Sequence, residues 1–420
     1  MTENTKAGST TWKEKFRAFG PGILMASAAV GGSHIVSSTQ AGAIYGWQLA
    51  IIVLLVNLFK YPFFRFGSQY TLQHNRSIIE GYKDKGSLYL WAFFIMNIFS
   101  AVVNTAAVGI LAAAILYNIF PNGFGLSISQ LTTILIVVTW AMLLIGGYQF
   151  LDGLSKFVMI SLTLATTLAV VIAVFKHREL SPDFKAPSPW QLSALPFIIA
   201  LMGWMPAPIE ISAINSMWTV EKRRTTKVTY KDGLLDFNVG YIGTAILAFI
   251  FLALGAMIQF GSGEAVKSAS AAYIAQFINM YAYAIGDWSR LLIAFIAFLC
   301  IFGTTITVID GYSRANNESL RLLFHKKEAS QKHLNIWITL TSIAGILIVL
   351  LFAGDVATLM RFAMIASFLT TPIYAYLNFT LVNDKEHQLS PWLYWLSISG
   401  IIYLAGFALF FLVYQLGFIS

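Results

Sequence analysis

Charge is what this chain has least of. Asp, Glu, Lys and Arg make up 11% of its 420 residues against 57% apolar ones, where a soluble domain carries roughly 25% charged residues. That deficit excludes an ordinary soluble protein and points to many membrane crossings. No Lys, Arg, Asp or Glu occurs between Lys85 and Asp152. Cysteine is nearly absent too: Cys300 stands alone in an apolar run, so no disulfide forms within the chain and the thiol reads as a small buried hydrophobe. The sequence has no glycine loop ending in Lys-Ser/Thr, no His-Glu-x-x-His and no Gly-x-Ser-x-Gly. With no soluble domain to house an ATPase, any transport must draw on an ion or substrate gradient. No cofactor is expected.

What is present is a series of long apolar runs. Spanning hydrocarbon takes about 20 apolar residues, and eleven segments meet that length: 20–45, 48–68, 88–119, 126–148, 154–175, 192–217, 234–260, 289–312, 334–353, 356–381 and 391–417. The fold class is therefore all-α integral membrane, with about eleven transmembrane helices. Residues 1–19 form a basic tail with Lys13, Lys15 and Arg17 and lack the apolar core and cleavage site of a signal peptide. Residues 20–420 form one transmembrane domain. The +8 net charge lies in short loops, which is a topology pattern and no sign of a nucleic-acid partner. About twenty Lys and Arg fall on the tail's side and about five on the other, so the N-terminus is expected in the cytoplasm and Ser420 outside.

Two of the segments are interrupted. The first contains Gly31-Gly32-Ser33-His34, and each glycine disfavours helix by roughly 1 kcal/mol relative to alanine. The sixth contains Met205-Pro206-Ala207-Pro208-Ile209-Glu210, in which both prolines lack an amide donor and obstruct the preceding turn. Breaks five spans apart face the membrane in opposite senses. Spans 1–5 and 6–10 then read as inverted repeats, with an eleventh helix added. No residue-level identity links the halves; the placement of the breaks carries the inference.

Several stretches resemble the Nramp family of proton-coupled divalent-metal transporters, within the larger LeuT-type fold. Phe19-Gly20-Pro21-Gly22 is similar to the opening of that family's first helix, and Gln40-Ala41-Gly42-Ala43-Ile44-Tyr45-Gly46 to its second half. Met205-Pro206 resembles the start of its sixth-helix motif, and Asp236-Phe237 with Leu252-Ala253-Leu254-Gly255-Ala256 its seventh helix. The resemblance implies metal uptake, yet the family's functional residues are replaced. Its Asp-Pro-Gly-Asn falls on Gly31, Gly32, Ser33 and His34, and its Met-Pro-His-Asn reads Met205, Pro206, Ala207, Pro208. The third helix offers no acidic residue around Ala106 and Gly109.

The candidate substrate site is thus Gly31, Gly32, Ser33, His34, Met205, Pro206, Ala207 and Glu210. His34 is either a hydrogen-bonded packing residue or a ligand, since a neutral imidazole coordinates borderline metals and titrates near neutrality. Met205 is either gap filler or a soft donor that discriminates against calcium and magnesium. His34 and Met205 are the candidate metal ligands, and Ser33 and freed carbonyls offer hard oxygens. Glu210 is costly in mid-bilayer, by roughly 2.5–3.5 kcal/mol, and so is expected to face a cavity; it either pairs with His34 across the breaks or partners a backbone amide. Asp310 and Arg314 have helical ion-pair spacing, while Thr304, Thr305 and Thr307 are expected to back-bond to helix carbonyls. Lys60 and Arg65 are expected to snorkel to the cytoplasmic face. Arg361 has no evident partner.

These readings converge on a secondary transporter that moves a small solute by alternating access, a divalent metal ion first. The alternative keeps the fold and carries a small anion or organic substrate, because half-helix N-termini favour negative charge. An intramembrane enzyme using His34 and Glu210 lacks a nucleophile or metal set, and paired breaks argue against an open channel. The expected surroundings are a plasma-membrane bilayer and the transported solute, with a monomer compatible with the sequence.

Overall fold

The computed structural model describes residues 20–120, 124–146, 149–176, 180–352, 354–382 and 389–419. The expected tail of residues 1–19 lies outside them. The first apolar segment divides into α1 (Pro21–Ala29), a π-helical turn (Ser33–Ser38) and α2 (Thr39–Tyr45). Then come α3 (Ala50–His74), the short α4 (Ile78–Lys85), α5 (Ser87–Ile119), α6 (Ile128–Ile145) and α7 (Gln149–Phe175). The sixth span divides into α8 (Leu195–Trp204) and α9 (Ile211–Thr225). The rest is α10 (Tyr230–Ile258), α11 (Ala271–Ala284), α12 (Ser289–Leu323), α13 (Gln331–Leu351), α14 (Val356–Val382) and α15 (Pro391–Gln415). No strand lies among the described residues.

Nine of these helices are long and apolar enough to cross a membrane. The two broken spans bring the total to the expected eleven. Helices dominate because hydrocarbon offers the backbone no partner, so each span must satisfy its own amides and carbonyls.

Two helices were not expected. Ser77 and Glu80 close a reciprocal capping box that starts α4, a Ser-x-x-Glu signal legible in the sequence. The 14 residues of α11 are too few to span about 20 positions; Tyr273, Phe277 and Tyr281 bury its inner face. Two expected ends also move. α3 continues to His74 and α12 to Leu323, past the limits of 68 and 312. The reason in α12 is ionic: Arg314 binds Asp310 at 2.7 Å, and Arg321 binds Glu318 at 2.6 Å and Glu80 at 3.4 Å. Those pairs let the helix run beyond the hydrocarbon.

Apolar attraction is weak inside lipid, so close backbone packing must hold the spans together. The first span lies against α10 through glycine. A Cβ on Gly42 would stand 1.9 Å from the Leu252 carbonyl, and one on Gly255 would stand 2.1 Å from the Thr39 carbonyl. The stretch Gln40–Gly46 and the stretch Leu252–Ala256 are thus two faces of one contact.

Candidate functional site

The first break is shorter than the glycines suggest. α1 stops at Ala29, Val30 leaves the helix with φ −74° and ψ 88°, and Gly32 is already helical at φ −56° and ψ −33°. The amides of His34 and Ile35 both reach back to the Gly31 carbonyl, at 3.1 and 3.0 Å, which closes a wide turn at once. The expectation that Gly31 through His34 are unwound is therefore corrected: the break is Val30–Gly31, and Ser33 and His34 begin the π-helical turn. Gly32 earns its place sterically, since a Cβ there would lie 2.6 Å from the Trp204 ring. Several carbonyls around the break find side-chain donors. Cys300 Sγ donates to Val30 O at 3.0 Å, Thr39 Oγ1 to His34 O at 3.0 Å, and Tyr273 Oη to Ile35 O at 3.3 Å.

His34 is buried and fully engaged. Its Nδ1 lies 2.7 Å from Ser33 Oγ and its Nε2 lies 3.0 Å from Thr244 O, with Phe251 edge-on at 5.9 Å. A carbonyl only accepts, so Nε2 carries the proton, and Nδ1 is left to the Ser33 hydroxyl. The single Ser33 proton is shared between Nδ1 and the Ala29 carbonyl, 2.8 Å away, and both ring nitrogens face protein atoms rather than the space between the breaks.

The second break runs from Met205 to Glu210, as expected. Its chemistry follows from covalent structure. In a helix the donors to the carbonyls of Met202 and Trp204 would be residues 206 and 208, and both are prolines. The missing donor comes from α3. Lys60 Nζ donates to Met202 O at 2.6 Å, Gly203 O at 2.9 Å and Ala207 O at 3.4 Å, one carbonyl for each of its three N–H bonds. Lys60 is completely buried. It does not snorkel to a membrane face, because the only acceptors dense enough to replace water for an ammonium lie inward.

Glu210 is also completely buried. Its Oε1 accepts from Tyr312 Oη at 3.0 Å, Ser100 lies beside the carboxylate, and Lys60 acts on it electrostatically. A chain of hydrogen bonds continues outward: Asn104 Nδ2 donates to Tyr312 Oη at 3.0 Å, and Trp204 Nε1 donates to Asn104 Oδ1 at 3.2 Å. Glu210 therefore ties the broken span to α5 and α12, and its partners are Tyr312 and Ser100 rather than His34.

Between the breaks lies a cavity of about 40 Å³ walled by Gly31, Gly32, Ser33, Asn104, Trp204 and Ala207, with Tyr312 and Thr304 beside them. Of the expected site residues, Gly31, Gly32, Ser33 and Ala207 meet at it. His34, Met205, Pro206 and Glu210 stand behind its wall. A larger vestibule of about 840 Å³ opens at one end of the bundle, lined by Ser27, Glu80, Trp218, Asp310, Arg314 and Arg321 among others. Among the described residues, no group of three or more His, Cys, Asp or Glu stands ready to hold a metal ion.

Asn104 and Tyr312 carry no signal in the sequence, while Lys60, expected to snorkel, and Cys300, expected to be a buried hydrophobe, instead donate to the breaks. Only Lys60 had a usable signal, because two prolines in a buried break demand an outside donor. Asp236 gains a role as well. It accepts from the amides of Gly20 at 3.1 Å and Gly22 at 2.7 Å, capping the N-terminus of α1 from another helix.

Known proteins share this fold. The family model described as "Natural resistance-associated macrophage protein-like" (Nramp) matches residues 22–414. An uncharacterized protein of Pasteurella multocida is 58% identical over 424 residues, covering 100% of this chain and 98% of its own. Among solved structures, a mutant of the Eremococcus coleocola manganese transporter superposes with a TM-score of 0.70 at 14% identity, over 98% of this chain and 89% of that one. MhsT in complex with L-phenylalanine superposes with a TM-score of 0.64 at 13% identity, over 92% and 98%. At these identities the two structures speak for the fold.

Proposed function

Since this chain belongs to the Nramp family, whose model spans nearly its whole length, we propose that it is a secondary-active transporter that moves a small solute by alternating access at its two broken spans. The observation that carries this reading is the cavity bounded by both breaks, with a vestibule leading toward it from one side. Broken helices facing each other in inverted halves are the usual seat of a transported solute.

The donor atoms support a small uncharged or anionic cargo. The walls carry only uncharged groups, among them the Ser33 hydroxyl, the Asn104 amide, the Tyr312 phenol and the Trp204 ring, each already engaged within the protein, so a cargo that draws on them exchanges those bonds for its own. The fixed ammonium of Lys60 sits on the Ala207 carbonyl just behind the wall, and it repels a second cation. Divalent ions prefer several oxygen ligands, carboxylates among them, or soft sulfur and imidazole donors. A divalent metal cargo is the second reading, favoured by family membership and by the fold likeness to a manganese transporter. Of the donors expected for it, Ser33 lines the cavity and Met205 stands behind its wall.

Calorimetry of the purified protein against Mn, Mg and Zn salts, amino acids and small anions separates the two. Saturable heat with an organic solute or an anion, and none with the metals, is the expected result. Tight saturable binding of Mn would overturn the cargo assignment and leave the transporter assignment standing. The excess of Lys and Arg on one side supports a cytoplasmic N-terminus, with the vestibule facing the cytoplasm.

A further inference from the structure

We propose that Lys60 is a built-in cation: its ammonium fills the place where broken-helix transporters bind a free coupling cation, so this protein needs none there. The C-terminal end of a half-helix carries partial negative charge, and unwound carbonyls next to it are natural ligands for a monovalent ion. Here that end belongs to α8. Its carbonyls at Met202 and Gly203, with Ala207 from the break, surround Lys60 Nζ at 2.6, 2.9 and 3.4 Å. Three oxygens converging on one point from a helix end and an unwound loop are half of a coordination shell, and a charge already stands at its centre.

Two further features fit a permanent occupant. Pro206 removes the backbone donor that would otherwise compete for the Met202 carbonyl, so helix formation cannot take that oxygen back from the cradle. The carboxylate nearest in electrostatic effect is Glu210, itself held by Tyr312, which offsets the buried positive charge. A free cation brought to the same carbonyls would stand within a few ångströms of the ammonium, and desolvated like charges at that separation repel by several kcal/mol.

The inference rests on the breaks being the transport site only for its functional meaning. Its test needs no cargo. The full-length protein in detergent is unfolded thermally while NaCl replaces choline chloride at constant ionic strength, for the wild type, Lys60→Met and Lys60→Ala. Wild type and Lys60→Met, in which the space stays filled, are expected to ignore the exchange. Lys60→Ala empties the cradle, and its unfolding midpoint should rise saturably with sodium or with methylammonium, a soluble copy of the lost group. A saturable sodium shift in the wild type overturns the proposal. So does a folded Lys60→Ala protein indifferent to both cations. If Lys60→Ala yields no folded protein, the wild-type titration decides alone, backed by binding of radioactive sodium: silence upholds the built-in cation and saturable binding defeats it. Either result leaves the identity of the cargo, and the transporter reading, to the calorimetry.

Discussion

The Lys60 ammonium lies 2.6 Å from the carbonyl oxygen of Met202, the oxygen whose helical donor would have been residue 206, a proline. A side chain in the second span thus performs a backbone task for the sixth. Buried polar groups left unpaired cost about 1–3 kcal/mol each, and Lys60 serves three. Lys60→Met is therefore expected to destabilise the protein by at least about 3 kcal/mol, seen as a large drop in thermal midpoint. An unchanged midpoint would show that water or a shifted backbone serves those carbonyls equally well.

The proline and the lysine should be energetically coupled. Pro206→Ala restores a backbone amide at the position that would serve Met202 O in a continuous helix. In that background Lys60→Met should cost less, by about 1 kcal/mol for the one regained hydrogen bond. A double-mutant cycle on thermal or denaturant unfolding measures this. Strict additivity would mean that the break holds its shape whatever residue 206 is.

His34→Ala is expected to weaken the fold while leaving metal affinity alone. Its ring nitrogens face Ser33 and Thr244 and the residue does not line the cavity between the breaks, so what is lost is about 1–2 kcal/mol of buried hydrogen bonding. Calorimetry with Mn, run side by side on the two proteins, should give indistinguishable traces. A tenfold weaker affinity in the variant would return His34 to the list of ligands.

Two glycines on α10 offer an internal control. Gly255→Ala would push a methyl within 2.1 Å of the Thr39 carbonyl, whereas a Cβ on Gly243 meets nothing within 4 Å. The first should cost at least about 1–3 kcal/mol as overpacking. The second should be neutral or stabilising by up to about 1 kcal/mol through helix propensity. Equal effects on unfolding would refute the close approach of the first span to α10.

At the start of α14, Thr358 donates its amide to Asp355 Oδ1 at 3.1 Å and its hydroxyl to Oδ2 at 2.6 Å. Those bonds hold the Asp355 carboxyl below the usual carboxylate range. A depressed acid stabilises the fold above its unfolded-state pKa, and that contribution is lost as pH falls through the folded one. Asp355→Ala should cost about 1 kcal/mol near neutrality, with the gap to wild type closing in acid. A gap that persists or widens in acid would refute the cap.

The span count and the places of both interruptions were legible because they rest on local signals: apolar run length, paired glycines and paired prolines. The motif stretches were legible as strings, and the structure supplies their reason, since Gly20 and Gly22 meet Asp236 and Gly42 meets the Leu252 carbonyl. What stayed hidden is what depends on partners far along the chain. Nothing near Lys60 tells that its acceptors lie at 202, 203 and 207. The proximity of His34 to a glycine break suggested an open imidazole, but Ser33 beside it and Thr244, distant in sequence, close it off. The π-helical turn was hidden for a similar reason. A wide turn survives where outside donors such as Tyr273 serve its displaced carbonyls.

The vestibule also shapes the electrical landscape. A space of about 840 Å³ edged by Glu80, Asp310, Arg314 and Arg321 is polar and roomy enough to admit water, which conducts far better than hydrocarbon. The membrane voltage then falls over the sealed layer beyond it instead of over the full bilayer core of about 30 Å. Each elementary charge crossing 100 mV exchanges about 2.3 kcal/mol with the field, and a closed layer at the two breaks would take up most of that exchange. Under the proposed alternating-access cycle, a cargo bearing net charge would feel most of the voltage in the step in which the breaks change the side they face. A neutral cargo would leave that step almost blind to it.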